Sequence, residues 1–390
     1  MTKRHNLYET IVYIVMALFL AFTYLIMNRL ELGESEVGSY PGIISLAIFV
    51  LAVLALMVRK EVPLTGFTVF WIVWSVWLFL IINIFGLSTG GISNYFRAIF
   101  CPMSFVLFYC ASSHSDKVEK IAFGGFFLIY LLAYYLNIQN ISRYQMLIIG
   151  EETGISNLGY WCLSVVPILV CSKRRWFQAG ILVTMLFCVI ITGKRSSSIA
   201  MMIILPLYYF VSQKSVKNSK KIGNFVLFVL GAFVVFIIVS RYFSGTFQGV
   251  VERFERIEAD EGSGRIPLYN DVFAVLEQNS IGDWILGRGY GSIVLSRHTN
   301  AHNDALQMLF EYGIIGLFVY IAMFIYAIKR ARVLRRNNSE YYLGYAISIV
   351  IFIVLGMVSD LVVFNSYFAF ICAFWGIVES KLVQNKLIRR

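Results

Sequence analysis

The sequence predicts an all-α polytopic integral membrane protein with about 12 transmembrane helices and one long loop, on the exterior or periplasmic side, containing short amphipathic helices. Three observations carry this. Hydrophobic residues make up 59% of the 390-residue chain and charged residues only 14%, where soluble domains carry about 25% charged residues; mean hydropathy is +0.74. Apolar windows long enough to cross a bilayer, about 20 residues each, recur between polar clusters. Lysine and arginine gather in every second connection, as they do in cytoplasmic loops. Twelve spans consume about 240 residues at about 20 apiece, and no separate soluble catalytic domain fits in the remainder. Any chemistry is confined to helix ends, the long loop or the space between spans.

In chain order, the apolar windows cover residues 7–28, 40–58, 64–86, 96–112, 121–137, 157–172, 176–192, 197–212, 222–240, 305–328, 341–358 and 363–379. The first, Leu7 to Met27, is too long for a signal-peptide core and lacks a small-residue cleavage site, so it reads as a span. The organisation is residues 1–240 for spans one to nine, 241–304 for the long loop, and 305–390 for spans ten to twelve. An internal amino terminus puts two thirds of the lysines and arginines in the cytoplasm, including Lys173, Arg174, Arg175, Arg335 and Arg336. Both termini are then cytoplasmic, and the net charge of +11 reflects orientation in a membrane rather than a nucleic-acid partner. The six cysteines (Cys101, Cys110, Cys162, Cys171, Cys188, Cys372) sit in apolar stretches with no CxxC pair, which indicates neither a disulfide framework nor a zinc site.

The long loop faces away from the cytosol. Its chemistry cannot draw on cytosolic ATP or nucleotide sugars, and an activated lipid carrier is the natural energy source there. Within it, Val250, Val251, Phe254 and Ile257 recur at helical spacing opposite Glu252, Arg253, Glu255 and Arg256, the pattern of a surface helix. After the flexible stretch 260–264 comes Arg265, and Pro267 at a first helical position opens a second amphipathic helix to about Gln278. An arginine beside the unpaired N–H groups of a helix start makes an anion site; the plainer alternative is a solvated arginine at a loop corner. Gly287-Arg288-Gly289-Tyr290-Gly291 lacks the Gly-Lys-Ser/Thr ending of a phosphate loop and reads as a tight turn.

His298 and His302 precede the tenth span. With Asn300 as N-cap, His302 falls in the first helical turn, where a neutral imidazole can accept a proton. A histidine with no catalytic duty is the alternative. The two histidines lie four apart, but no HExxH pattern or third ligand accompanies them, and neither metal nor cofactor is expected. The turn Thr192-Gly193-Lys194-Arg195-Ser196-Ser197-Ser198 puts a dense positive pair on the side where positive charge is scarce. An anionic partner such as a diphosphate would explain it; charges snorkelling to headgroups would too. Arg97 and Arg143 are weaker candidates of the same kind, and Asn303 adjoins the histidine. Glu311, two turns into the tenth span, is expensive in lipid and is expected to pair with an arginine inside the bundle.

Taken together, the Gly-Lys-Arg-Ser-Ser turn at residues 193–197, Ser263-Gly264-Arg265, the Gly-x-Gly-x-Gly segment, and His302-Asn303 with Leu306-Gln307, then Glu311-Tyr-Gly-Ile-Ile-Gly-Leu317, resemble the O-antigen ligase/polymerase superfamily. That superfamily includes Wzy-type polymerases, WaaL-type ligases and protein O-oligosaccharyltransferases. The resemblance implies a GT-C-like, metal-independent glycosyltransferase of a bacterial inner membrane, with undecaprenyl-diphosphate-linked oligosaccharides as substrates. It also implies membrane lipids, a chain-length regulator and a flippase as partners. By motif, Arg195 and Arg265 correspond to arginines assigned to the diphosphate, and His302 to the histidine that activates the acceptor hydroxyl. Lys194, Arg288, Arg97, Arg143, His298 and Asn303 are candidates for contacts to diphosphate or glycan. Lys194 stands where a small residue is common, which leaves its share of the phosphate duty open. Dedicated polymerases are numerous and sequence-diverse, so an O-antigen polymerase is the expected function, with a ligase or a lipid-linked oligosaccharide flippase as alternatives.

Overall fold

The computed structural model describes residues 2–29, 40–58, 64–85, 91–147, 158–192, 194–212, 261–293, 300–359, 361 and 365–387, with scattered positions between 223 and 255. Every described element is helical: α1 (Thr2–Arg29), α2 (Tyr40–Val58), α3 (Gly66–Phe85), α4 (Gly91–Ser112), α5 (Lys117–Leu147), α6 (Leu158–Leu169), α7 (Arg175–Thr192), α8 (Arg195–Ser212), α9 (Glu261–Leu276), α10 (Ile281–Leu286), α11 (Asp304–Arg336), α12 (Tyr342–Val358) and α13 (Asn365–Gln384). Each apolar window except 222–240 coincides with one of these helices; that window lies largely outside the described residues, as does the amphipathic pattern around Val250. Among the described residues, five helical segments are long and apolar enough to cross a membrane: Leu7–Met27, Gly66–Phe85, Lys117–Gln139, Arg195–Ser212 and Asp304–Arg336. Shorter apolar segments occur in α2, α4, α6, α7 and α12.

Helix α3 shows why lipid is the solvent. Trp71, Trp74, Leu78 and Ile81 are buried against neighbouring helices, while Val69, Val73, Val76 and Ile84 are exposed. A helix apolar on every side has no face for water. The centre is built from α4 and α13, which pack along each other and bury unbroken runs, 99–112 and 367–380. Lipid tails are as apolar as leucine, so helices in a bilayer associate through close packing rather than hydrophobic expulsion. Gly376 provides the approach: a Cβ there would come within 2.4 Å of the Phe105 carbonyl oxygen. At Gly344 on α12 a Cβ would stand 2.0 Å from the Pro167 carbonyl oxygen of α6.

Polar contacts sort the helix ends into two groups. At one end, Ser115 donates to Glu9 (2.8 Å), Tyr8 donates to the Ala55 carbonyl (3.3 Å), Lys381 meets Asp116 (2.6 Å) and Tyr341 donates to Glu119 (2.6 Å). Arg330 forks onto both oxygens of Glu379 (2.7 and 2.8 Å), and Thr65 donates to the same carboxylate. The starts of α1, α3, α5 and α12 and the ends of α2, α4, α11 and α13 therefore meet there. The starts of α6, α8, α11 and α13 and the end of α12 gather at the other end, joined through Tyr160, Asn303 and Asp304. Helix α8 packs on α12, with Ser212 beside Tyr342 and Leu343, so the two run antiparallel.

Two local expectations are corrected. Helix α9 begins at Glu261 rather than at Pro267, which lies inside it. Proline removes its bond to the residue four back, here Ser263, and crowds that carbonyl, yet the helix runs on past it to Leu276. Arg265 thus stands one turn into α9 and not beside unpaired N–H groups at its start. Helix α11 begins at Asp304 with Asn303 as N-cap, its side chain accepting from the Leu306 N–H (3.1 Å). Asn300 does not cap it, and His302 precedes the helix instead of occupying its first turn.

Candidate functional site

The loop from α10 to α11 is fastened to a break in α11. Ser280 and Asp283 cap α10 reciprocally: the Ser280 hydroxyl accepts from the Asp283 N–H (3.2 Å) and the Asp283 carboxylate from the Ser280 N–H (3.0 Å). Hydrogen bonds from the side chain and then the backbone of Ser280 hold the Asp283 carboxyl below the usual carboxylate range. Beyond α10, Gly287, Gly289 and Gly291 have φ of 80, 90 and 73°, a left-handed region glycine enters freely. The expected tight turn is there. It meets α11 where Gly313 (φ 64°, ψ −163°) departs from helical geometry. The loop N–H groups take up helix carbonyls: Arg288 donates to Phe310 O and Gly289 to Glu311 O, both at 3.0 Å. A Cβ on Gly313 would lie 2.4 Å from Ile285 O, and one on Gly287 2.3 Å from Glu311 O.

His302 lies on the N-terminal side of this joint with φ of 51°. Such a conformation is uncommon in a residue with a Cβ and costs about 1–3 kcal/mol, so it persists only where its surroundings enforce it. They do. The buried Gln307 accepts from the Ala301 N–H (3.2 Å) and donates to Asn300 Oδ1 (3.4 Å) and Glu311 Oε1 (2.9 Å). Tyr269 of α9 donates to the His302 carbonyl (3.4 Å). Asn303 caps α11 and donates to Met357 O at the end of α12 (3.3 Å). The fully buried Asp304 accepts from the Leu361 N–H (3.1 Å). The imidazole itself is half-buried.

Arg265 precedes Tyr269 by four residues, so the two share a face of α9. Val272 and Leu276 continue that face into a small buried cluster with Ile293, Ala301, Leu306 and Phe310. The face that carries Arg265 is therefore the one that meets His302 and α11. Arg195 reaches the same end through α8, as its first residue, and both arginines are half-buried. The residues flanking Arg195 are held by Tyr160 of α6: Lys194 Nζ lies 5.1 Å from the ring centroid and Ser196 Oγ hydrogen-bonds the Tyr160 hydroxyl. Tyr160 in turn packs on Tyr367 of α13 (5.7 Å between centroids).

Arg288 has a structural occupation. Its Nε donates to Asn279 Oδ1 (2.7 Å), its Nη2 to Val275 O (3.3 Å), and its guanidinium lies 5.7 Å from the Phe310 ring centroid. Arg97 lies in α4 and Arg143 in α5, with side chains outside the described residues, and His298 falls outside them as well. Gln307 and Gly313 belong to the motifs behind the resemblance, which give them no role of their own, and with Asp304 they hold the site together. A glutamine and an acid spaced to face one side at the start of an apolar helix, and a glycine within it, are the signals that could have found them. Chemically, the end of the bundle offers an imidazole able to accept a proton and two guanidinium groups suited to phosphate oxygens.

Residues 180–321 match the family model described as O-antigen ligase. The matched stretch runs from α7 through the α8 turn and the α9–α10 loop past the break in α11, so it contains Arg195, Arg265 and His302 together. No curated protein matches the chain.

Proposed function

We propose that this chain, whose residues 180–321 match the O-antigen ligase family model, is an O-antigen polymerase of the bacterial inner membrane. It joins undecaprenyl-diphosphate-linked oligosaccharide units at the periplasmic face. The observation that carries the reading is His302, held in a costly backbone conformation by Gln307, Tyr269 and Asn303, with Arg265 on the α9 face that meets it. Twelve spans and two cytoplasmic termini are supported by the sorted helix ends. Helix α8 ends at the end of the bundle opposite His302 and α9 lies at the His302 end, as a span at 222–240 requires.

In the proposed mechanism the donor sugar is attached through its anomeric carbon to lipid diphosphate. A hydroxyl of the acceptor glycan attacks that carbon and gives its proton to the His302 imidazole. The new glycosidic bond forms as the bond to diphosphate oxygen breaks, with inversion. Arg195 and Arg265 stabilise the charge that collects on the departing lipid diphosphate. Lys194 adds positive charge beside Arg195.

The family description itself favours a second reading, a ligase that passes lipid-linked polysaccharide to lipid A-core. Deletion of the gene in a host making surface polysaccharide, followed by electrophoresis of its lipopolysaccharide, separates the two. A polymerase leaves core bearing a single repeat; a ligase leaves bare core and accumulated lipid-linked polymer. Unchanged lipopolysaccharide would defeat both.

A further inference from the structure

At the end of the bundle opposite His302, the α6–α7 turn, the end of α8 and the α11–α12 turn enclose a cavity of about 320 Å³, within the range of small-ligand pockets, about 300–1,000 Å³. Lys173, Arg175 and Arg335 line it against one acid, Glu340. Lys173 lies 3.4 Å from Glu340 with its side chain 85% exposed, so that pair is loosely held. The wall is fixed: Gln178 Nε2 donates to the carbonyls of Val170 (2.9 Å) and Ser172 (2.6 Å), pinning the turn that carries Lys173. A second cavity shares Cys171, Ser172 and Lys173 with the first and adds an apolar wall of Phe123, Ile168, Phe374 and Ile377, with the opposite charges of Glu119 and Lys120 at its edge. Beside them Trp176 is 69% exposed, with the Arg174 guanidinium 5.9 Å from its ring centroid. An exposed tryptophan paired with a cation marks the level of lipid headgroups.

We propose that these adjoining cavities bind an anionic phospholipid of the surrounding leaflet, its phosphodiester on Arg175 and Arg335 and part of an acyl chain toward Phe123 and Phe374. Cation excess is what a phosphodiester needs, and arginine forks bind its oxygens in pairs. Basic pockets between membrane helices recognise headgroups in this way. The apolar neighbour distinguishes a lipid from a soluble phosphate ester, which has nothing to place there.

Native mass spectrometry of the detergent-solubilised full-length protein tests this, with phosphatidylglycerol and phosphatidylcholine as probes and glycerol 3-phosphate as soluble competitor. The protein is expected to retain phosphatidylglycerol preferentially. The double variant Arg175→Gln/Arg335→Gln should lose that preference, by about fivefold for each charge removed. Glu340→Gln removes the opposing carboxylate and should strengthen retention by a similar factor, a gain that a misfolded protein would not show. Equal retention of both lipids, preference surviving in the double variant, no gain in Glu340→Gln, or displacement of the lipid by glycerol 3-phosphate would each overturn the proposal.

Discussion

His302 holds a backbone angle that its own Cβ opposes, and the strain and the function can be separated by substitution. His302→Ala removes the imidazole but keeps the angle, so chain extension should fall by about 10²–10⁴-fold, the usual worth of a general base, with little change in stability. His302→Gly should be equally inactive yet more stable than His302→Ala, because glycine adopts φ of 51° without strain. Thermal unfolding of both variants in micelles checks the order. Gln307→Ala removes the acceptor of the buried Ala301 N–H, at a cost of about 1–3 kcal/mol, and should lower turnover by freeing the His302 turn. His302 stands out in the sequence as a candidate; its station ahead of α11 does not. Asn300 and Asn303 are both good caps, three residues apart, and spacing alone does not choose between them; the structure puts Asn303 on the Leu306 N–H and on α12, and turns Gln307 back onto Asn300 and Ala301.

Helix α11 depends on a single atom's absence at its break. Gly313→Ala would press a Cβ against Ile285 O at 2.4 Å and force φ of 64° on an L-residue. Loss of more than about 2 kcal/mol is expected from strain and displaced contacts together, read as a lower unfolding temperature and as proteolysis between α9 and α11. Helix α10 carries a pH dependence of its own. The Asp283 carboxyl has a depressed folded pKa, so its cap contributes fully above the unfolded value, about 3.9, and fades as pH falls through the folded value. Trp284 fluorescence should therefore stay constant at neutral pH and change only below about pH 4, and Asp283→Asn should abolish that change. The apolar helices were legible because their windows run apolar for a dozen residues or more, a signal no tertiary contact reverses. The start of α9 was not, since a proline carries one meaning at a first turn and another deeper in a helix, and packing of Tyr269, Val272 and Leu276 on α11 selects the second.

For the whole molecule, the clasp of Arg330, Glu379 and Thr65 ties α11, α13 and α3 together at the basic end. Glu379 is 1% exposed, so Arg330→Met strands a buried carboxylate and should cost about 3–5 kcal/mol, while Arg330→Met/Glu379→Leu should recover most of it. The alternating arrangement of helix ends is checked by single-cysteine labelling in intact cells. Asn279→Cys should react with a membrane-impermeant reagent from outside and Asn338→Cys only after the membrane is opened. Reaction of both from the same side would refute the twelve-span topology.

The seam between the α10 loop and the break in α11 is stitched by main-chain amides onto main-chain carbonyls. No side-chain identity is written into those bonds. The surfaces on either side can thus be exchanged, residue by residue, while the seam keeps its register, provided the glycines that let the two backbones touch remain in place.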